Sequence, residues 1–82
     1  MYLHIGGDTV INTDSIVGIF DLDNATLSFK TREFLSKAQK EGRIIYVSYE
    51  LPKSFVLCRE NGENMIYICQ LSPGTLIRRY FR

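Results

Sequence analysis

The chain has 82 residues, 45% of them apolar, with ten basic and nine acidic side chains and a net charge of +1. This length accommodates one domain, residues 1–82, and the apolar share excludes a disordered chain. The even charge excludes a whole-molecule attraction to nucleic acid or anionic lipid, so binding of a polyanion requires local clusters of Lys and Arg.

Three short strands are predicted in the first quarter of the chain. Residues 1–5 and 9–12 have strand composition and are joined by a Gly-Gly-Asp turn, which predicts a tight hairpin because glycine adopts positive φ without steric cost. Residues 16–22 are β-branched and almost wholly apolar. This composition predicts a central strand that is buried on both faces.

The hydrophobic period then changes to that of a helix. The apolar stripe has the spacing i, i+4, i+7, i+8 and i+11 and consists of Leu27, Thr31, Phe34, Leu35 and Ala38. Asn24 or Ser28 could serve as the N-cap, and Gly42 is a natural stop at the C-terminal end. The pattern therefore predicts one main amphipathic helix.

A second group of strands follows the helix. Residues 43–49 have a clear strand pattern that ends before Pro52, because proline cannot donate to a ladder. Residues 54–59 and 64–71 flank an Asn-Gly pair, which is the strongest hairpin signal in the chain.

The chain ends in a predicted short helix. Ser72 precedes Pro73, which suits an N-cap followed by proline at the first helical position, and the helix extends to about Tyr80. The order of elements predicts an α+β domain. It would have a small antiparallel or mixed sheet of about six short strands, one main helix packed on that sheet, and the short C-terminal helix.

Side chains that could support catalysis or hold a metal are not grouped in the sequence. His4 lies in a predicted strand, and Cys58 and Cys69 lie within strands, where small buried residues are expected. Asp21 and Asp23 resemble the carboxylates of magnesium-dependent phosphate-transferring enzymes, but a polar turn that caps the helix also explains them. We therefore expect no enzyme activity, cofactor, metal or small-molecule substrate.

The sequence also indicates where the protein works. No apolar run is long enough to span a membrane, and the first ten residues lack the pattern of a signal peptide. Two cysteines are too few for a disulfide framework. These features predict a cytoplasmic protein with free thiols.

The basic side chains fall on the main helix, beside Pro52, on the predicted hairpin and at the C-terminus. The candidate nucleic-acid contacts are Lys30, Arg32, Lys53, Arg59, Arg78 and Arg79. Acidic neighbours on the helix also fit a merely solvated face, and the terminal arginines, with Arg82, could instead cap the last helix. A closed oligomer would multiply even a weak basic patch.

Four segments carry a family resemblance: residues 1–6 (MYLHIG), 16–23 (IVGIFDLD), 31–35 (TREFL) and 50–55 (ELPKSF). Together they resemble the RemA/RemB family of bacterial extracellular-matrix (biofilm) regulators, and RemB more than RemA. The similarity runs from Met1 to about Leu76. It implies a cytoplasmic transcriptional regulator, since RemA-type proteins form closed homo-oligomeric rings that bind DNA and activate matrix genes.

The resemblance does not extend to the DNA contacts of RemA-type proteins. Those contacts use an arginine just before the third strand and an adjacent pair of arginines in the turn before the hairpin. Ser15 occupies the first position here, and Leu51 and Pro52 occupy the pair, with Lys53 as the one cation nearby. Leucine and proline offer no charge to a phosphate. The other candidate cations would have to contribute to any DNA binding.

Two classes of function are favoured over an enzyme. The first is a homo-oligomeric regulator that contacts double-stranded DNA mainly through phosphates, because no helix rich in Arg, Asn and Gln suggests base recognition. The second is a protein-interaction module that assembles with itself or a partner and does not bind DNA, which the missing arginines and the +1 charge favour. An enzyme that uses the two aspartates is a third alternative.

Four residues are candidates for an interface between copies, and the alternative for each is a place in the core. They are Tyr46, Tyr49, Leu51 and Phe55.

Overall fold

The computed structural model describes residues 1–81, and within them six strands, three α-helices and one 3-10 turn follow one another. The elements are β1 (Tyr2–Gly6), β2 (Thr9–Asn12), the 3-10 turn (Thr13–Ser15), β3 (Ile16–Asp21), α1 (Leu22–Ala25), α2 (Phe29–Lys40), β4 (Ile44–Tyr46), β5 (Ser54–Glu60), β6 (Glu63–Cys69) and α3 (Pro73–Tyr80). This confirms the predicted α+β class with its main helix and short C-terminal helix.

The strands form two separate sheets. β1 and β2 pair as an antiparallel hairpin, and the other four strands form a sheet in the order β3-β5-β6-β4. β5 is antiparallel to both of its neighbours, whereas β4 is parallel to β6. The main sheet is therefore mixed, with β3 at one edge and β4 at the other.

Both faces of the main sheet are covered, so the molecule has three layers. Successive side chains of a strand point to opposite faces. Val56 and Cys58 of β5 therefore belong to a core with the β1–β2 hairpin and α3, in which Leu76 is fully buried. Phe55 belongs to the core on the other face, where Ala38 of α2 is fully buried. The main sheet thus separates α2 from α3.

The prediction of a central, fully buried strand at residues 16–22 was wrong. β3 pairs with β5 alone and forms an edge of the sheet, and Val17 is 63% exposed. The β1–β2 hairpin pairs with itself and packs across the face of the sheet, so it does not cover the outer side of β3. A continuous apolar segment thus forms an open edge of the sheet.

The predicted helix and the strand after it also need correction at their ends. The chain turns first through α1, with the Asp21 carboxylate as N-cap, and α2 begins only at Phe29, after Ser28. Leu27 lies between the two helices and is 79% exposed, so it does not belong to the buried stripe. β4 ends at Tyr46 rather than at residue 49.

The predicted hairpin turn, the stop at Gly42 and the Ser72 cap are confirmed, whereas Ser28 begins α2 without a capping hydrogen bond from its side chain. Asn61 and Gly62, at φ +52° and +81°, connect β5 and β6 in the left-handed conformation that a two-residue hairpin turn requires. Gly42 ends α2 at φ +72°. The Ser72 hydroxyl accepts a hydrogen bond from the Thr75 backbone N–H, which caps α3.

Candidate nucleic-acid interface and self-association surface

The six candidate cations do not form one site. Lys30 and Arg32 lie on α2, whereas Arg78 and Arg79 lie on α3 at the opposite face of the main sheet. Lys53 immediately precedes β5, and Arg59 lies near the end of that strand. A single flat polyanion therefore cannot contact all of them on one molecule.

Arg32 is committed to the turn between the first two helices. Its guanidinium donates hydrogen bonds to the carbonyl oxygens of Thr26, at 2.6 Å, and Leu27, at 3.2 Å. Carbonyls at the end of a helix lack partners within that helix, so Arg32 supplies one from the next. The side chain remains exposed, and in the free protein it links α2 to the corner between α1 and α2.

A second pair of arginines meets at Asn64. Arg59 donates to the Asn64 side-chain oxygen at 3.0 Å, and Arg43 donates to the Asn64 backbone oxygen at 2.8 Å. Arg43 also forms an ion pair of 2.7 Å with Glu41. Since its contact with Asn64 comes from the distant β6 strand, sequence reasoning did not single out Arg43. Both guanidinium groups are already hydrogen-bonded, so a phosphate would compete with existing contacts.

The arginines of α3 are also engaged. Arg79 donates to the backbone oxygen of His4 at 3.1 Å, which ties the last turn of α3 to β1. Arg78 donates to the Thr75 hydroxyl at 3.3 Å on its own helix. Arg82, which the sequence groups with them, lies outside the described residues.

α2 is the most basic element of the molecule. It contains Lys30, Arg32, Lys37 and Lys40 but only one acidic residue, Glu33. The rest of the chain has six basic and eight acidic side chains, so positive charge is concentrated on this helix although the chain is nearly neutral. The exposed side of α2 can attract an anion at short range.

The positions where RemA-type proteins have arginines are polar or apolar in this structure. The Ser15 hydroxyl donates to the backbone oxygen of Asn12 at 2.7 Å. The backbone of Lys53 is held at both ends, because its N–H bonds to Cys69 and its oxygen accepts from Leu22. Lys53 is therefore fixed by its backbone and exposed to solvent, but it offers only one positive charge to a phosphate.

The candidate interface residues divide into two groups. Tyr46, Tyr49 and Leu51 are exposed in and after β4, and they are available for contact with another molecule. Phe55 is only 3% exposed and stacks on Phe20, with ring centroids 4.9 Å apart. Phe55 therefore lies in the core, which was the alternative to a position at an interface.

The Asp21 carboxylate caps a helix, and both thiols are buried. The Asp21 carboxylate accepts hydrogen bonds from the backbone N–H groups of Asp23 and Asn24. Burial raises the pKa of the Cys58 thiol, and it raises that of Cys69 to about 11. Within residues 1–81 no three His, Cys, Asp or Glu side chains come close enough together to hold a metal ion.

Comparison with known proteins identifies the family. Residues 2–80 match the family model described as "RemA-like: Extracellular matrix regulatory protein A-like". The chain is 39% identical, over 79 residues, to Extracellular matrix regulatory protein B of Bacillus subtilis (strain 168), an alignment that covers 96% of this chain and 89% of that protein. The chain belongs to the RemA-like family of extracellular matrix regulatory proteins, which confirms the resemblance. None of the helices in residues 1–81 could cross a membrane.

Proposed function

We propose that this member of the family is a cytoplasmic, homo-oligomeric regulator of matrix and biofilm genes that binds double-stranded DNA through its phosphates. The observation that carries this proposal is the concentration of four cations on α2 in a chain whose net charge is only +1. Phosphate contacts supply most of the sequence-independent affinity of DNA-binding proteins. Membership in a family of matrix regulators supports the regulatory role.

Self-association makes this weak basic surface sufficient. A single α2 offers few cations, but copies of the chain held together would present the same helix repeatedly to one DNA molecule. The exposed apolar residues Tyr46, Tyr49 and Leu51 support association, because a small domain gains stability when such surface is buried between copies.

The experiment is a DNA titration, by fluorescence anisotropy and native mass measurement, at several salt concentrations. We expect the affinity for duplex DNA to fall steeply with salt and to depend little on sequence. Lys37→Gln with Lys40→Gln should weaken binding about tenfold or more and lower the salt slope by about two for each subunit that contacts the DNA. Glu33→Gln, on the same helix, should tighten binding. An affinity that is insensitive to salt and to these changes would contradict the proposal.

A matched variant tests which face is used. Arg78→Gln with Arg79→Gln removes the same charge from α3, on the other side of the sheet. If α2 makes the phosphate contacts, this pair should weaken DNA binding much less than the α2 pair. The opposite ranking would assign DNA binding to α3 and overturn the role of α2.

The alternative function is a protein-interaction module that does not bind DNA. Ser15, Leu51 and Pro52, at positions where RemA-type proteins use arginine, favour this alternative. It predicts an oligomer of unchanged mass in the presence of DNA at every salt concentration. In both cases we propose that the protein is not an enzyme, so Asp21→Asn with Asp23→Asn, which retains a capping side chain, should leave its regulatory activity intact.

A further inference from the structure

The main sheet has two open edges within residues 1–81. β3 pairs only with β5, and β4 pairs only with β6, so the outer side of each strand has no ladder partner. Such an edge offers its free N–H and C=O groups to a strand of another molecule. Proteins usually protect an edge with charge, proline or a covering loop. The two edges here carry apolar side chains instead.

At the β3 edge, the exposed apolar residues come from two elements. Val17 and Phe20 are exposed on the strand, and Ile77 and Phe81 are exposed at the end of α3. Val17, Ile77 and Phe81 line one open depression of about 280 Å³. Val17 is the extra residue where the register with β5 shifts. This edge is therefore an apolar surface with an irregular outline.

At the β4 edge, the exposed apolar residues continue from the strand into the following loop. Tyr46 and Tyr49 line a second depression of about 420 Å³. Tyr49 is fully exposed and Tyr46 is 62% exposed. Together they present roughly 250–400 Å² of surface if a full aromatic side chain offers about 150–250 Å². This is a large part of the roughly 800 Å² per partner that a standard interface buries.

The register of the sheet links the two edges. Phe20 pairs with Phe55, Phe55 with Ile68, and Ile68 with Tyr46, so these four residues form one row across the sheet. The inner members are 3% and 7% exposed, whereas the outer members, Phe20 and Tyr46, are 39% and 62% exposed. The row is apolar throughout, and its two outer residues remain exposed to solvent.

The strand directions determine how the row can be completed. β3 and β4 run in the same direction, because β5 is antiparallel to β3 and β6, and β4 is parallel to β6. A shifted copy of the molecule therefore brings its β4 beside β3 in parallel, with its α2 on the same side of the sheet. A two-fold contact would cover only one kind of edge and leave the other exposed.

We infer that copies of this chain associate head to tail, with β3 of one copy beside β4 of the next and with Phe20 beside Tyr46 of the partner subunit. The inference rests on the self-association proposed above and identifies its surfaces. Each contact completes the apolar row from one copy to the next. All copies are then equivalent, and both edges of every copy except any terminal one are covered.

Cross-linking tests this arrangement. Phe20→Cys and Tyr46→Cys chains, co-expressed and oxidised, should form a mixed dimer, whereas neither variant alone should cross-link. Both substitutions in one chain should give a ladder of cross-linked species. Paired strands lie within disulfide distance. Val17→Cys, joined to Tyr46→Cys by a short bis-maleimide, repeats the test without removing the Phe20 ring.

The other outcomes have distinct meanings. Efficient cross-linking of either single variant with itself would show two-fold pairing and overturn the head-to-tail arrangement. An oligomer by native mass that never cross-links would overturn the edge assignment but leave the proposed self-association intact. A monomer at all concentrations would refute both.

A charge placed at the edge gives a second test. Val17→Lys should dissociate the oligomer, because an edge lysine opposes strand pairing. Leu27→Lys is the matched control, since Leu27 is exposed between α1 and α2 and belongs to neither edge strand. It should leave the native mass unchanged. A Val17→Lys protein that keeps its oligomeric mass would contradict the inference.

Discussion

The Tyr67 hydroxyl donates to the carboxylate of Glu60 across the β5–β6 hairpin, with oxygen–oxygen distances of 3.0 and 3.2 Å. Burial of the ring, together with the hydrogen bond to Glu60 and the negative charge of Glu60, raises the pKa of Tyr67 to about 12. The neutral hydroxyl is thus favoured in the folded protein, where it joins the two strands.

This raised pKa predicts a loss of stability in alkali. An unfolded tyrosine releases its proton near its ordinary pKa of 10, whereas folded Tyr67 retains it to about 12. The unfolded state therefore binds fewer protons between these values, and the free energy of unfolding falls as pH rises through them. In denaturant titrations at about pH 9 and about pH 11, wild type should lose more stability than Tyr67→Phe. Tyr2→Phe should behave as wild type. Equal losses in all three proteins would contradict the pairing.

The two thiols should be unreactive and should not form a disulfide with each other. Cys58 faces Met65, and Cys69 lies four residues further along β6, about 13 Å away, beyond the roughly 7 Å that a disulfide spans. Both are buried with a raised pKa, so little thiolate forms. Labelling with an aromatic disulfide reagent should be on the order of 100-fold slower than in denaturant. Fast labelling of the folded protein would contradict this burial.

The elements that the sequence predicted well are those whose signals are local. The Asn61-Gly62 turn and the Ser72-Pro73 helix start depend on backbone preferences of a few adjacent residues. The edge position of β3 could not be predicted in this way. An apolar run indicates burial, but it does not reveal whether the burying partner is in the same chain.

The candidate site shows the same limit. The sequence identified the basic residues but not their partners, because those partners come from other elements. Arg79, for example, donates to His4, 75 positions away. The row from Phe20 to Tyr46 depends on the register of four strands, which no local pattern encodes.

Two leucines provide a matched test of the core. Leu76 of α3 is fully buried, whereas Leu27 is 79% exposed. Leu76→Ala should lower the free energy of unfolding by about 2–5 kcal/mol, through lost burial and the cavity left behind. Leu27→Ala should change it by about 0.5 kcal/mol or less. Chemical denaturation measures both, and similar effects would show that α3 does not pack as described.

Two glycines should respond in opposite ways to alanine. Gly62 has φ +81°, a conformation that costs a residue with a Cβ roughly 1–2 kcal/mol, so Gly62→Ala should destabilise the hairpin. Gly74 lies in the first turn of α3, and an added Cβ would meet no atom within 4 Å. Gly74→Ala should therefore stabilise the protein by about 0.4–1 kcal/mol. The melting temperatures of the two variants should shift in opposite directions relative to wild type. A shift of both in the same direction would contradict the backbone conformation described for one of the two glycines.

Because α2 covers one face of the main sheet and the β1–β2 hairpin with α3 covers the other, the protein has two chemically unlike sides. In an array built by continuing the sheet, the α2 helices of all copies would lie on the same side. Its helical side would then present a positive charge at intervals of one sheet width, roughly 19 Å for four strands. A long polyanion laid along such an array would meet an evenly spaced line of cations on one side only.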